Sequence, residues 1–164
     1  MIYYEAKDFP VDGLEATGES VKIHVPKGTA YRTYKLFGDQ GGSITVDGDG
    51  AGVACRYGGG NGSAYREGGG KGNAVRDGNG EGNALRGGDG DGAACHNGDG
   101  YGNACRWGGG NGSAYRDGDG NGDAYRYGDG NGSAWRNGDG DGNAYRWGYG
   151  DGNAYRDGEI EEVE

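Results

Sequence analysis

From residue 51 the chain repeats every ten residues, and every even position of the repeat is fixed. Ten full copies cover 51–150 and a partial one covers 151–158, all of the form x-G-x-A-Φ-R-x-G-x-G. The second position is glycine from Gly52 to Gly152, and the fourth is alanine from Ala54 to Ala154. The sixth is arginine in Arg56, Arg66, Arg76, Arg86, Arg106, Arg116, Arg126, Arg136, Arg146 and Arg156, with His96 the exception. Odd positions vary among Asn, Asp, Ser, Gly, Glu, Lys and aromatics. A period of two belongs to extended chain, whose successive side chains point to opposite faces. Small fixed residues on one parity describe a cramped face, and variation on the other describes an open one.

Such a pattern excludes a helix, because glycine at this density destabilises one at every turn. It also separates this chain from disordered glycine-rich sequences: disorder gives no reason for parity to hold through eleven copies. The expectation is an all-β fold, a β-solenoid of about eleven ten-residue coils stacked ~4.8 Å apart. Eleven coils would make a rod of roughly 50 Å. In each coil the glycine-rich stretch turns and the Ala-Φ-Arg triplet forms the strand.

Upstream, residues 41–50 keep Gly42, Gly48 and Gly50 but carry Ile44 and Val46 at the Ala and Arg positions, as a transitional coil would. Val21–Val25 and Tyr31–Phe37 read as strands joined by a turn at Pro26-Lys27-Gly28. The resulting division is an N-terminal β capping region at 1–41, the decapeptide solenoid at 42–158, and an acidic tail at 159–164. Cap and tail would each blunt an open sheet edge.

The fifth position runs Cys55, Tyr65, Val75, Leu85, Cys95, Cys105, Tyr115, Tyr125, Trp135, Tyr145, Tyr155, and the seventh adds Tyr57, Trp107, Tyr127 and Trp147. Two arrangements compete. Either the fifth position fills the core, or the fixed even residues do and the fifth forms an exposed ladder. A narrow, constant interior suits Ala and Gly better than a column mixing Leu, Cys and Trp, so the second is preferred. The candidate binding ladder is then Tyr65, Tyr115, Tyr125, Trp135, Tyr145 and Tyr155, with Trp107, Tyr127 and Trp147 beside it. Tyr and Trp on a rigid surface are typical anchors for a partner. Stacked rings also stabilise a ladder that has no partner. The ten arginines form a structural ladder, neutralised by nearby Asp and by turn carbonyls.

Chemistry beyond this is sparse. The repeat resembles the calcium-binding RTX unit G-G-x-G-x-D-x-U-x over residues 138–145, but its aspartate column is absent here, so no metal array is expected. Cys95, His96 and Cys105 look like part of a zinc set, yet Cys55, four coils away, cannot complete it. Cys95 and Cys105, on adjacent coils, would lie within disulfide range, although free thiols are favoured in a reducing compartment. No nucleophile, phosphate-loop or zinc-protease motif is present. Neither an enzyme nor a cofactor is expected.

The chain carries 16 basic and 26 acidic residues, net −10. This balance disfavours binding to nucleic acid or an anionic membrane. No signal peptide or bilayer-spanning run is present, and a cytoplasmic site of synthesis, in a host or with later incorporation in a virion, is expected. Over 42–158 the chain resembles the glycine-rich short-repeat β-solenoids of phage and bacterial surface or accessory proteins. That resemblance speaks for architecture, not activity. The expected function is a non-enzymatic binding rod, plausibly phage-encoded, that presents its aromatic ladder to a protein or glycan, or to a second copy as a homodimer. The alternatives are an acidic DNA mimic that blocks a host nuclease or defence complex, and a purely structural spacer or self-assembling segment.

Overall fold

A computed structural model describes residues 1–156 and the backbone of 159–161. The described chain is all-β and forms a β-solenoid of two parallel sheets. One sheet, called the odd sheet, holds β1 (Ile2–Glu5), β3 (Val21–His24), β5 (Ile44–Asp47), β7 (Ala64–Arg66), β9 (Ala84–Arg86), β11 (Ala104–Trp107), β13 (Ala124–Tyr127) and β15 (Ala144–Trp147). The even sheet holds β2 (Leu14–Glu15), β4 (Arg32–Phe37), β6 (Gly52–Tyr57), β8 (Ala74–Asp77), β10 (Ala94–Asn97), β12 (Ala114–Asp117), β14 (Ala134–Asn137) and β16 (Ala154–Arg156). β17 (Glu159–Glu161) closes the even sheet by pairing antiparallel with β16, Tyr155 opposite Ile160.

The ten-residue unit is the recurring turn of the solenoid, one strand and one glycine-rich bend. It does not stack on its immediate neighbour. Ala94 pairs with Ala74 and Ala114, and Ala104 with Ala84 and Ala124. Hydrogen-bonded partners are thus twenty residues apart, and two successive decapeptides, one per sheet, complete a rung. The eleven copies therefore stack to about 26 Å, half the length expected of directly superposed copies.

The same sheets continue into the N-terminal region. Ile2–Glu5 pairs with Val21–His24, which pairs with Ile44–Asp47. Here the interior is conventional, with Ile23, Val25, Tyr34, Leu36, Ile44 and Val46 all buried. From residue 54 onward this apolar core gives way to Ala and Arg. Ala64, Ala74, Ala84 and their successors to Ala134 are fully buried, and so are the arginines from Arg56 to Arg136. The even parity faces inward.

The arginines are held by backbone carbonyls. Nη2 of Arg106 donates to Gly90 O at 2.9 Å in the rung before and to Gly110 O at 2.8 Å in its own bend. Arg86, Arg116, Arg126 and Arg136 repeat this pair of bonds. Nη1 adds the carbonyl of the following residue, as in Arg106 to Trp107, and often a bend glycine of the rung before, as in Arg116 to Gly98 at 3.0 Å. Each guanidinium thereby ties two rungs together at the bend.

The bends leave no room for side chains. A Cβ on Gly112, whose φ is +149°, would lie 2.1 Å from Gly92 O, and one on Gly110 would lie 2.3 Å from Asp89 O. Gly112→Ala should therefore prevent rungs from closing, and Arg126→Met should cost about 3–5 kcal/mol by leaving bend carbonyls unpaired. Urea unfolding followed by circular dichroism checks both; Arg126→Lys, which cannot reach several carbonyls at once, should fall between Met and wild type.

Candidate interaction face

Because partners are twenty apart, the fifth position does not make one ladder but two, on opposite faces. The even sheet turns Cys55, Val75, Cys95, Tyr115, Trp135 and Tyr155 outward, and the odd sheet Tyr65, Leu85, Cys105, Tyr125 and Tyr145. On the even face Tyr115 stacks on Trp135 at 6.4 Å and Trp135 on Tyr155 at 3.9 Å. On the odd face Tyr125 stacks on Tyr145 at 5.2 Å and Tyr127 on Trp147 at 4.6 Å. Ring planes in these pairs lie within 19° of parallel. Apart from the more offset Tyr115–Trp135 pair, these rings stack close to the rung spacing, cover one another's faces and turn their edges to solvent.

The two faces differ at the seventh position. On the even sheet it reads Tyr57, Asp77, Asn97, Asp117, Asn137; on the odd sheet, Asp47, Glu67, Gly87, Trp107, Tyr127, Trp147. From Leu85 to Trp147 the fifth and seventh columns of the odd face are therefore four rungs high and carry no charged side chain; Asp123, at the third position, borders them and accepts a hydrogen bond from the Tyr125 hydroxyl at 2.5 Å. Trp107 and Tyr127 are exposed at 43% and 41%. Tyr65 lies on the same sheet but beside Glu67, outside this patch. The seventh-position aromatics Trp107, Tyr127 and Trp147 recur every twenty residues, the sequence signal that distinguishes the two faces.

The polar odd positions have a structural use. Asn, Asp and Ser at positions one, three and nine accept a hydrogen bond from the backbone N–H one rung on: Asn61 from Glu81 at 2.9 Å, Asn83 from Asn103 at 2.8 Å, Asp89 from Gly109 at 3.1 Å. The acidic residues therefore serve the rung-to-rung ladder, and among the described residues no cluster of His, Cys, Asp and Glu is arranged to hold a metal ion. None of Arg56, Arg66, Arg76, Arg86, Arg106, Arg116 and Arg126 pairs directly with a carboxylate. Burial, reinforced by neighbouring arginines, lowers the pKa of Arg86, Arg116 and Arg126 to about 10, so they remain charged at neutral pH.

The adjacency expected of Cys95 and Cys105 is corrected by the register. Cys95 faces outward on β10 and Cys105 outward on β11 of the other sheet, and all three cysteines are free. Burial pushes the Cys95 thiol up to about 11 and that of Cys105 to about 12, so neither is a reactive thiolate. The partial zinc set dissolves for the same reason, because His96 points into the core between Arg76 and Arg116.

No known family, curated protein or solved structure matches this chain. Its class is thus defined by its own architecture, a two-sheet parallel β-solenoid with an arginine interior. Two features break its regularity: the asymmetric aromatic face and the single histidine in its arginine columns.

That histidine is fully buried, and neither ring nitrogen has a hydrogen-bond partner. Burial first, then Arg116 and Arg76, lower its pKa to about 4. A histidine whose folded pKa lies below its unfolded value of about 6.5 leaves stability intact above pH 6.5 and withdraws it as pH falls toward 4. Thermal melts from pH 7.5 to 4 should show this acid loss, and His96→Arg, which restores the guanidinium, should melt higher and lose less between pH 6.5 and 4.

Proposed function

We propose that this protein is a non-enzymatic interaction protein whose odd face docks a protein partner through its uncharged fifth and seventh columns, from Leu85 to Trp147. One observation carries the reading. The two sheets share the same interior and the same bends, yet their seventh positions diverge, to Asp and Asn on one and to Trp and Tyr on the other. Folding alone makes no such demand, since beyond Tyr57 the even sheet is built with Asp and Asn at this position. An uncharged aromatic surface of this kind is what protein interfaces concentrate at their centres.

A protein partner is favoured over a glycan by the ring geometry. Sugar rings bind aromatic faces, whereas Tyr125, Tyr127, Tyr145 and Trp147 are stacked on one another and offer mainly their edges. A flat surface of ring edges suits packing against another flat, apolar protein surface.

A photo-crosslinking residue substituted for Tyr127 or, on the opposite face, for Tyr115 tests the reading in the full chain. Discrete protein adducts are expected from position 127 and not from 115, and Trp107→Ser with Trp147→Ser should remove them without unfolding the rod. Equal adducts from both faces, or none from either, overturn the proposal.

A further inference from the structure

The odd face has a second half, and it points to the kind of partner. Below Leu85 its outward residues are Tyr3 and Glu5 on β1, Lys22 and His24 on β3, Thr45 and Asp47 on β5, and Tyr65 and Glu67 on and just after β7. One column carries hydroxyls, at Tyr3, Thr45 and Tyr65. The other carries carboxylates on the same rungs, at Glu5, Asp47 and Glu67. Lys22 and His24 are compensated within the chain, both held by Asp47, at 2.9 and 3.0 Å.

We propose that this face binds a second copy of the chain, with the rods side by side and parallel about a two-fold axis running along the solenoid. This inference rests on the reading of the odd face as a docking surface and names its occupant. Rotation about such an axis sets each fifth-position column against the partner's seventh-position column at the same height. Every carboxylate then meets a hydroxyl: Glu5 faces the partner's Tyr3, Asp47 its Thr45, and Glu67 its Tyr65. Above them the fifth and seventh columns meet without a charge, Tyr125 against the partner's Tyr127 and Tyr145 against its Trp147, the Asp123 carboxylate being held beside them by the Tyr125 hydroxyl.

The opposite orientation fails on the same residues. Antiparallel rods in full overlap set Glu67 against Leu85 and Gly87, whose side chains offer no donor, and bury Glu5 against Trp147 and Asp47 against Trp107, each with a single indole N–H at most in place of its solvation. An isologous contact is self-complementary by symmetry, which the hydroxyl–carboxylate rungs satisfy. Eight rungs of ~4.8 Å and a strand width of about 13 Å give roughly 500 Å² on each partner. Standard interfaces bury about 800 Å² a side, so association is weak, with a Kd of about 10–100 µM expected.

Sedimentation velocity from 1 to 500 µM measures the association. Wild type is expected to move from monomer to dimer over this range. Tyr127→Asp, which puts a charge into an apolar rung, should weaken dimerisation at least about tenfold, and Tyr115→Asp on the even face should leave it unchanged. The photo-crosslinker at position 127 then reads the orientation in the dimer: adducts to the partner's residues near 125 support the parallel arrangement, and adducts to its residues 3–67 overturn it. Monomer at every concentration, or equal weakening by Tyr115→Asp, also overturns it. In that case heterologous adducts from position 127 would leave the docking face standing with a different protein on it, whereas their absence would remove both.

Discussion

Everything in the repeat region depends on one interaction, the buried guanidinium donating to bend carbonyls of its own rung and the rung before. A buried charge is costly unless its donors find acceptors, and arginine is suited to this because its planar fork can reach several fixed acceptors at once; the Nη groups carry most of these bonds, while Nε of Arg76, Arg86, Arg106 and Arg126 has no hydrogen-bond partner. The glycine bends supply those acceptors, aimed inward at regular height because no Cβ separates successive rungs. Bend and arginine are therefore one device: without glycine the carbonyls could not approach, and without arginine they would be buried and unpaired. The Asp residues outside add long-range compensation, as with Asp89 and Asp91 acting on Arg106, with no direct ion pair.

This device explains why so little conventional core is needed. Alanine fills the space that the arginines leave, and the rungs gain a second set of ties at the surface from aromatic stacks and from Asn, Asp and Ser accepting backbone N–H bonds across a rung. At the N-terminus the same two sheets are packed by Ile23, Val25, Leu36 and Val46 instead. The passage from aliphatic to arginine interior occurs without a change of register, Val46 pairing with Arg66 and Leu36 with Arg56.

Much of this was legible in the sequence. Parity divided the repeat into two faces, and the poor fit of Leu, Cys and Trp to one narrow column favoured placing the fixed Ala and Arg inside and the fifth position outside. The turn at Pro26-Lys27-Gly28 and the strands around it could also be read, from Pro, Gly and alternation. The twenty-residue register was not read, because the two halves of a rung have the same consensus and differ only at odd positions. Geometry held the answer: ten residues of extended chain enclose a ring only about 10 Å across, too narrow for inward-pointing arginines, whereas two decapeptides leave room between two sheets. Missing that step merged Tyr115 with Tyr125 into one ladder and set Cys95 beside Cys105.

The same separation of parities bears on function. Fixed even positions carry the fold identically at every rung, so odd positions are free to differ wherever an i-to-i+20 hydrogen bond is not required. The seventh position is one such place, and there the odd sheet departs from the even one. A structural spacer needs no such departure, and an acidic mimic of nucleic acid would put charge where Trp107, Tyr127 and Trp147 stand. The aromatics lie together on one face and at one end, while hydroxyls and carboxylates share the remaining rungs of that face in pairs. Stability accounts for the stacking of rings on both sheets; the run of three seventh-position aromatics on the odd sheet alone is what the proposed docking of a protein surface adds.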